Sequence, residues 1–379
     1  MSCNYHGLPH SGIQSLNPYV PGKSIEELAK EQGLIDIIKL ASNENPLGCS
    51  PLAKQALAEL TGMQIATYPT PANHPLRQKL SKHWGIDPDM LTLSNGSDLL
   101  FSVLLTTFAL HNDKHMLTHD HAFISYQIQA QTLGIPVRSI GLKSNWEVDI
   151  DAIIAACNQQ TALIFIANPN NPTGLFINPD SIQKLLNNIP ATTILVLDEA
   201  YYEYAYPEGD KTSINLLQHH PNLVITRTFS KAYGLAGLRL GYAIANLEIA
   251  ELLQRVQIPF AVNQAALAAA YEAIDDQHFL RQTVELNALG REQIRQGLKD
   301  LKLTALPSSC NFITFDCGTS ALPIYQGLLR KGVIVRPLAP YNLFNHLRVS
   351  IGNSLQNTRF LDTLAICLSE NKKEPGHEN

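Results

Sequence analysis

Short apolar runs that alternate with helical segments constrain the fold of this chain more than any other feature of the sequence. The runs have the length and composition of buried strands, and they are Met116–Thr118, Val137–Ile140, Leu163–Ile166, Ile194–Leu197, Leu223–Ile225 and Leu238–Ala243. Segments typical of helices lie between most of them, for example Ile124–Leu133, Ile150–Cys157 and Pro179–Asn188. The alternation predicts an α/β domain with a mostly parallel sheet that is covered by helices on both faces.

The rest of the chain predicts a second, smaller domain, because 379 residues exceed one ordinary hydrophobic core. Ser24-Ile25-Glu26-Glu27 fits a capping box that opens an early helix. Residues 264–301 are typical of long helices, and the strands and helices that follow indicate an α+β domain. We therefore divide the chain into an N-terminal segment that joins the small domain, a large domain, a small C-terminal domain and a disordered tail, over 1–40, 41–270, 271–370 and 371–379.

The composition favours a compact enzyme of the cytoplasm. Hydrophobic residues make up 45% of the chain, and the net charge of -5 includes no long basic or acidic block, which disfavours nucleic acid or a membrane surface as a partner. The six cysteines form no C-x-x-C pair, so free thiols in a reducing compartment are expected. No signal peptide or bilayer-spanning run is evident. His115, His119 and His121 lack the spacing of a zinc site, and we expect no metal.

A single lysine, Lys231, follows the predicted strand Leu223–Ile225 and lies among hydroxyl residues and glycines. A lysine amine can form a Schiff base with an aldehyde cofactor. Thr228, Ser230 and Arg239 can bind a phosphate group by hydroxyl and charge-assisted hydrogen bonds. From the stretch alone, an ordinary strand-to-loop turn with a surface lysine remains the alternative.

Other polar segments also follow predicted strands or open helices. Gly96, Ser97 and Asp98 precede an apolar helix, where backbone N–H groups can bind an anion or the side chains can simply cap the helix. Asp198 ends the strand Ile194–Leu197, and a carboxylate in a dry crevice requires a cation such as a protonated ring nitrogen, unless it caps a helix. Because ligands of parallel sheets bind at the carboxyl ends of the strands, these segments predict one shared site.

The order Ser-Lys-x-x-Gly-Leu-x-Gly-x-Arg-x-Gly-Tyr, from Ser230 to Tyr242, resembles the lysine-anchoring motif of pyridoxal-phosphate aminotransferases of fold type I. Further elements between about residue 15 and residue 352 resemble the class II group that contains the histidinol-phosphate aminotransferases: 18–23, 40–48, 68–69, 168–174, 335–337 and 346–352. The resemblance implies fold type I, with a large cofactor-binding domain, a smaller α+β domain, and pyridoxal 5'-phosphate as the cofactor.

The resemblance also implies a role for individual residues. Lys231 is expected to anchor the cofactor and move a proton, Asp198 to pair with the ring nitrogen, and Tyr201 to bond the phenolic oxygen beside Asn171. Phe123 stands where the family stacks an aromatic side chain, commonly tyrosine, on the ring. The other cofactor-binding residues are Gly96, Ser97, Asp98, Thr228, Ser230, Arg239 and Tyr68, of which Tyr68 is expected to reach the phosphate from the neighbouring subunit of a homodimer. The implied substrate ligands are Tyr19, Asn43, Arg336 and Arg348.

The implied reaction is transamination by a ping-pong Schiff-base mechanism. It interconverts histidinol phosphate plus 2-oxoglutarate and imidazole-acetol phosphate plus glutamate, a step of histidine biosynthesis. An aromatic or broad-specificity amino-acid aminotransferase and a phosphothreonine decarboxylase are the alternative enzymes. A catalytically silent cofactor-binding regulator is the alternative of another class, and the presence of Lys231 disfavours it.

Overall fold

The computed structural model describes residues 3–18 and 22–373. Helices of the described residues are α1 (Ser11–Gln14), α2 (Ile25–Gln32), α3 (Pro51–Ala58), α4 (Gly62–Ala66), α5 (Pro75–Trp84), α6 (Gly96–Phe108), α7 (Ile124–Thr132), α8 (Ile150–Ala156), α9 (Pro179–Asn188), α10 (Tyr202–Ala205), α11 (Thr212–His219), α12 (Leu247–Val256), α13 (Gln264–Ala273), α14 (Gln277–Asp300), α15 (Ala321–Arg330) and α16 (Ser354–Lys373). Short 3₁₀ helices are Tyr5–Gly7, Pro71–Asn73, Pro88–Met90, Ala236–Leu238 and Ala339–Tyr341. The strands are β1 (Ile38–Lys39), β2 (Leu91–Ser94), β3 (His115–His119), β4 (Val137–Ile140), β5 (Thr161–Ala167), β6 (Ile194–Asp198), β7 (Leu223–Thr228), β8 (Gly241–Ile244), β9 (Thr304–Ala305), β10 (Phe312–Asp316), β11 (Val333–Ile334), β12 (Arg336–Leu338) and β13 (Leu343–Ser350).

Contacts between residues divide the described chain into two compact units. The first unit contains residues 3–18, 49–171 and 175–280, and the second contains 22–48, 172–174 and 281–373. Residues 3–18 lie with the first unit because His10 and Gln131 tie α1 to α7, through hydrogen bonds of 3.1 Å to Thr132 O and Gly12 O. The sequence-based division joined this segment to the small domain, so the structure differs there.

The first unit contains a seven-stranded sheet in the order β2-β8-β7-β6-β5-β3-β4. Strands β3 to β7 pair in parallel and only β2 and β8 run antiparallel to their neighbours, which confirms the predicted, mostly parallel sheet. Alternate residues of β5 enter two separate apolar cores, Leu163 and Phe165 on one face and Ile164 and Ile166 on the other. Helices therefore cover both faces, and the carboxyl ends of β3, β5, β6 and β7 meet at one edge.

Two elements of this sheet differ from the sequence prediction. The strand expected at Leu238–Ala243 begins only at Gly241, because the 3₁₀ turn Ala236–Leu238 and the left-handed backbone of Arg239 (φ 56°) precede it. Strand β2 is not predicted at all. Its four residues are buried, but the run is short and gains its strand conformation from pairing with β8.

The second unit is α+β, as predicted. Its antiparallel sheet has the order β12-β13-β10-β9, and β1 pairs in parallel with β11. Side chains of α14, α15 and α16 pack on this sheet in one core, which includes Leu298, Leu328 and Phe360. Helix α16 continues through Lys373 and so includes residues 371–373, the start of the segment expected to be a disordered tail. Within the described residues, no helix is long and apolar enough to cross a membrane.

Candidate active site

The first turn of α6 lies beside Arg239. Gly96 has a left-handed backbone (φ +73°), and a Cβ added there would lie 2.5 Å from Nη2 of Arg239. Nη1 of Arg239 donates a hydrogen bond of 3.3 Å to Ser230 Oγ, and Nη2 lies 3.8 Å from Asp98 Oδ2. A guanidinium, a hydroxyl and the N-terminus of a 13-residue helix therefore converge. This donor set fits a phosphate group.

The loop after β7 is held by its own backbone and hydroxyl groups. Thr228 Oγ1 accepts a hydrogen bond of 3.0 Å from the Ser230 N–H and donates one of 3.3 Å to Leu240 O. The Phe229 N–H also donates to Leu240 O, at 3.0 Å. The loop thus folds back against the start of β8, which fixes Ser230 beside Arg239 and leaves Lys231 partly exposed.

Asp198 is a fully buried carboxylate at the carboxyl end of β6. Its Oδ2 accepts a hydrogen bond of 2.6 Å from Tyr126 Oη, and its Oδ1 accepts one of 3.1 Å from Thr226 Oγ1. Burial raises the pKa of Asp198 to about 6, although both hydrogen bonds act in the opposite direction. Both side-chain donors are neutral, so the negative charge of Asp198 is available for a cation such as a protonated ring nitrogen.

Lys231 lies near Tyr201, one of the two predicted ligands of the phenolic oxygen. Its Nζ is 5.9 Å from the ring centroid of the buried Tyr201. Asn171 is also buried, in a loop that the Asn168 side chain closes by accepting from the Ile177 N–H at 2.8 Å and donating to Ile177 O at 2.9 Å. The lysine, the buried carboxylate and the donor set around Arg239 together fit pyridoxal phosphate.

The two predicted aromatic ligands, Phe123 and Tyr68, differ in their contacts and exposure. Phe123 is the N-cap residue of α7, and its ring contacts the edge of Tyr126 at 5.6 Å between centroids. Tyr68 is 78% exposed and its ring stacks on Phe260 at 4.5 Å. Tyr68 therefore lies on the surface of the first unit.

The predicted substrate ligands of the second unit lie on or beside its sheet. Arg348 is buried on β13, where its Nη2 donates a hydrogen bond of 2.8 Å to Ala41 O. Arg336 on β12 is its direct cross-strand partner. The buried Asn43 donates from its N–H to Ser350 Oγ at 2.8 Å and accepts from that hydroxyl at 3.0 Å. Tyr19 lies outside the described residues.

Sequence reasoning missed three buried polar residues around this site. Tyr126 bonds Asp198, and Glu199 forms an ion pair of 2.7 Å with Arg227. The Arg227 guanidinium lies between the rings of Trp84 and Tyr202, at 4.0 and 3.7 Å from their centroids. Glu199 and Arg227 are each one position away from the bonded pair Asp198 and Thr226, so their ion pair fixes the ends of β6 and β7. The signal in the sequence was a charged residue, Arg227, directly after the apolar run Leu223–Ile225 and Thr226.

Comparison with known proteins gives the class of the chain. The family model of class I and II aminotransferases matches residues 35–364, and the chain belongs to this family. Its architecture is fold type I, as predicted, and a solved structure from Sinorhizobium meliloti, a histidinol-phosphate aminotransferase in complex with pyridoxal-5'-phosphate, superimposes with a TM-score of 0.84. That structure is 28% identical and covers 96% of this chain and 97% of its own.

Two curated relatives carry a more particular name, histidinol-phosphate aminotransferase 2. The protein from Legionella pneumophila (strain Lens) is 58% identical over 364 residues, which are 96% of this chain and 99% of the relative. The protein from Pseudomonas fluorescens is 44% identical over 371 residues, which are 97% of this chain and 100% of the relative. The similarity thus extends over both structural units.

Proposed function

We propose that this chain is a pyridoxal-phosphate-dependent transaminase that interconverts histidinol phosphate plus 2-oxoglutarate and imidazole-acetol phosphate plus glutamate, in histidine biosynthesis. Membership of the aminotransferase family supports the reaction class, and relatives named for histidinol phosphate, at 44–58% identity, support the substrate. The observation that carries the substrate assignment is the cross-strand pairing of Arg336 with Arg348.

Two directly opposed residues of an antiparallel pair extend their side chains from the same face of the sheet, with Cβ atoms about 4.5–5.5 Å apart. Like charges in this arrangement repel each other, so an anion between them relieves an electrostatic cost. A single arginine can bind the carboxylate of glutamate through two hydrogen bonds. A phosphate ester has more charge and more oxygens, and the Arg336–Arg348 pair offers it a second cation.

Pyridoxal phosphate supplies an aldehyde that exchanges amines and a ring that accepts electrons from a deprotonated carbon. We propose that Arg239, Ser230 and the N-terminus of α6 hold its phosphate, and that Asp198 holds the proton of its ring nitrogen. Tyr201 and Asn171 bind its phenolic oxygen. The amine of Lys231 would bind the aldehyde form of the cofactor and, once a substrate amine has displaced it, would carry the proton to and from the substrate carbon.

We further propose a homodimer, because apolar side chains cluster on the surface of the first unit. The cluster comprises residues of α4, the turn after it and the segment after α12, all at least 52% exposed: Met63, Ile65, Tyr68, Ile258 and Phe260. Stacking of Tyr68 on Phe260 joins the two segments. An exposed apolar patch of this kind is typical of a protein interface. We also place the enzyme in the cytoplasm, a proposal that the six free cysteines support.

Arg336→Ala tests the substrate assignment. We expect it to weaken transition-state binding in the histidinol phosphate half-reaction by roughly 1.5–3 kcal/mol, the scale of a charged hydrogen bond, and to affect the glutamate half-reaction less. Single-turnover absorbance of the cofactor measures each half-reaction separately. Arg348→Ala should impair both half-reactions, and Arg295→Ala, which removes an exposed arginine of α14, is the control for loss of charge.

Equal losses for both substrates in Arg336→Ala would contradict a phosphate role for this residue. The activity would then be that of a general amino-acid aminotransferase, since recognition would depend on the carboxylate alone. Release of carbon dioxide from phosphothreonine would instead indicate a decarboxylase.

A further inference from the structure

Tyr126 is a buried tyrosine to which the mechanism above gives no role. It lies in the first turn of α7, and its side chain has no exposure to solvent. Helix α7 follows β3, and the sheet order puts β5 between β3 and β6, the strand that carries Asp198. The side chain of Tyr126 therefore extends past β5, and its hydroxyl donates a hydrogen bond of 2.6 Å to Asp198 Oδ2.

Aromatic packing fixes the ring of Tyr126. Phe101 of α6 meets it edge to face at 4.9 Å between centroids, and Phe165 of β5 lies at 5.0 Å. Phe123 approaches a further edge at 5.6 Å. A close-packed ring with contacts from three sides keeps one rotamer, so the position of its hydroxyl is set before any ligand binds.

The other carboxylate oxygen of Asp198 is fixed from the opposite side of β6. Thr226 on β7 is the cross-strand partner of Asp198 and donates to Oδ1 at 3.1 Å. The backbone N–H of Ala200 also stabilises the ionised form, whereas the nearby carboxylate of Asp98 opposes it. The side-chain donors to Asp198 are neutral, so they orient the carboxylate without cancelling its charge. An arginine or lysine in their place would neutralise it.

We propose that Tyr126 is a positioning residue for Asp198: its hydroxyl orients the carboxylate and keeps it ionised, ready to pair with the protonated ring nitrogen of the cofactor. The identity of that cation rests on the proposed function, but the effect of Tyr126 on Asp198 does not. The hydrogen bond stabilises the charged form of the carboxyl group and so opposes the effect of burial.

The direct test is a titration of Asp198 in the full-length, cofactor-free protein. Aspartate labelled with ¹³C at the carboxyl group is followed by NMR, and Asp198→Asn assigns the signal. In Tyr126→Phe we expect the titration midpoint of Asp198 to rise by roughly 1–2 pH units. Tyr202→Phe is the matched control, because it removes another buried tyrosine hydroxyl, which bonds the backbone of Asp210. An unchanged midpoint in Tyr126→Phe overturns the proposal.

A second variant gives a shift of opposite sign and retains the ring and its hydroxyl. With 3-fluorotyrosine at position 126, the more acidic phenol is a stronger donor, so the Asp198 midpoint should fall below that of the unsubstituted protein. A rise or no change contradicts the proposal even if Tyr126→Phe does not fold. Binding of pyridoxal phosphate should weaken about tenfold in Tyr126→Phe and not in Tyr202→Phe. If no protein binds the cofactor, the proposed function fails, while the titration still decides the link between Tyr126 and Asp198.

Discussion

Glu203 shows how a single buried residue makes the stability of the protein depend on pH. It lies on α10, and burial raises its pKa to about 7, from an ordinary value of 4.5, against the attraction of Arg227. The folded protein therefore holds the proton to higher pH than the unfolded chain does. As pH rises from about 4.5 to 7, the unfolding free energy falls. Above pH 7 Glu203 is ionised in the folded protein too, and the loss of stability is at its maximum.

We predict that Glu203→Gln removes this cost. The variant should gain about 2 kcal/mol more in unfolding free energy at pH 8 than at pH 5, relative to the unsubstituted protein. Urea denaturation at the two pH values measures the difference. Glu251→Gln is the control, because Glu251 is an exposed partner of Arg255 and should give no such gain. A loss of equal size at both pH values would show that Glu203 makes a favourable ionic contact instead.

The sequence predicts residues of this site where a role depends on the local order of the chain. Lys231, Ser230 and Arg239 belong to one continuous motif, and the structure brings Ser230 and Arg239 together. Tyr126 could not be found in this way, because its hydroxyl meets Asp198 only after β3, β5 and β6 have assembled. Sequence patterns report the chemistry of neighbours along the chain and not contacts that packing across a sheet creates.

At the scale of elements, the packing of β8 on α6 depends on one glycine. A Cβ at Gly241 would lie 2.5 Å from Ser97 N and 2.8 Å from Gly96 C, which are backbone atoms that cannot move aside easily. This close approach sets the distance between the start of β8 and the first turn of α6. The position of that turn, where we propose that the phosphate group of the cofactor binds, therefore depends on Gly241.

We predict that Gly241→Ala lowers the unfolding free energy by about 1–3 kcal/mol, the usual cost of forcing extra volume into a packed core. The affinity for pyridoxal phosphate should also fall, because the first turn of α6 shifts. Gly237→Ala is the matched control in the same stretch, since a Cβ at Gly237 meets no atom within 4 Å. Denaturant unfolding and a cofactor titration separate the two effects. Equal behaviour of both variants would contradict the close approach.

The boundaries of helices and strands are predicted correctly where they depend on adjacent residues. The capping box at Ser24 and the end of α2 before Gly33 form as predicted, because both depend on a few adjacent residues. The expected strand over Leu238–Ala243 was wrong at its start, since Arg239 adopts a left-handed backbone that its apolar neighbours do not indicate. Strand β2 was missed because its conformation comes from pairing with β8, a partner far along the chain.

At the scale of the whole molecule, the exposed apolar cluster around Tyr68 and Phe260 predicts self-association. Phe260→Asp adds a charge to this cluster. Because a dimer interface would have to desolvate that charge, the dissociation constant of the dimer should rise at least tenfold. Analytical ultracentrifugation over a range of protein concentrations measures the change. Leu289→Asp, at an exposed leucine of α14, is the control. A fully active monomer in the unsubstituted protein would contradict the shared site.

A single-turnover reaction of the cofactor-loaded protein with histidinol phosphate, followed by cofactor absorbance, tests the proposed transamination most directly. Histidinol phosphate should convert the bound aldehyde cofactor to its aminated form, and 2-oxoglutarate should not. Lys231→Ala should lose this conversion, and borohydride reduction of the loaded protein should add the cofactor mass to the peptide that contains Lys231. Absence of spectral conversion by histidinol phosphate, in a protein that glutamate converts readily, would contradict histidinol phosphate as the substrate.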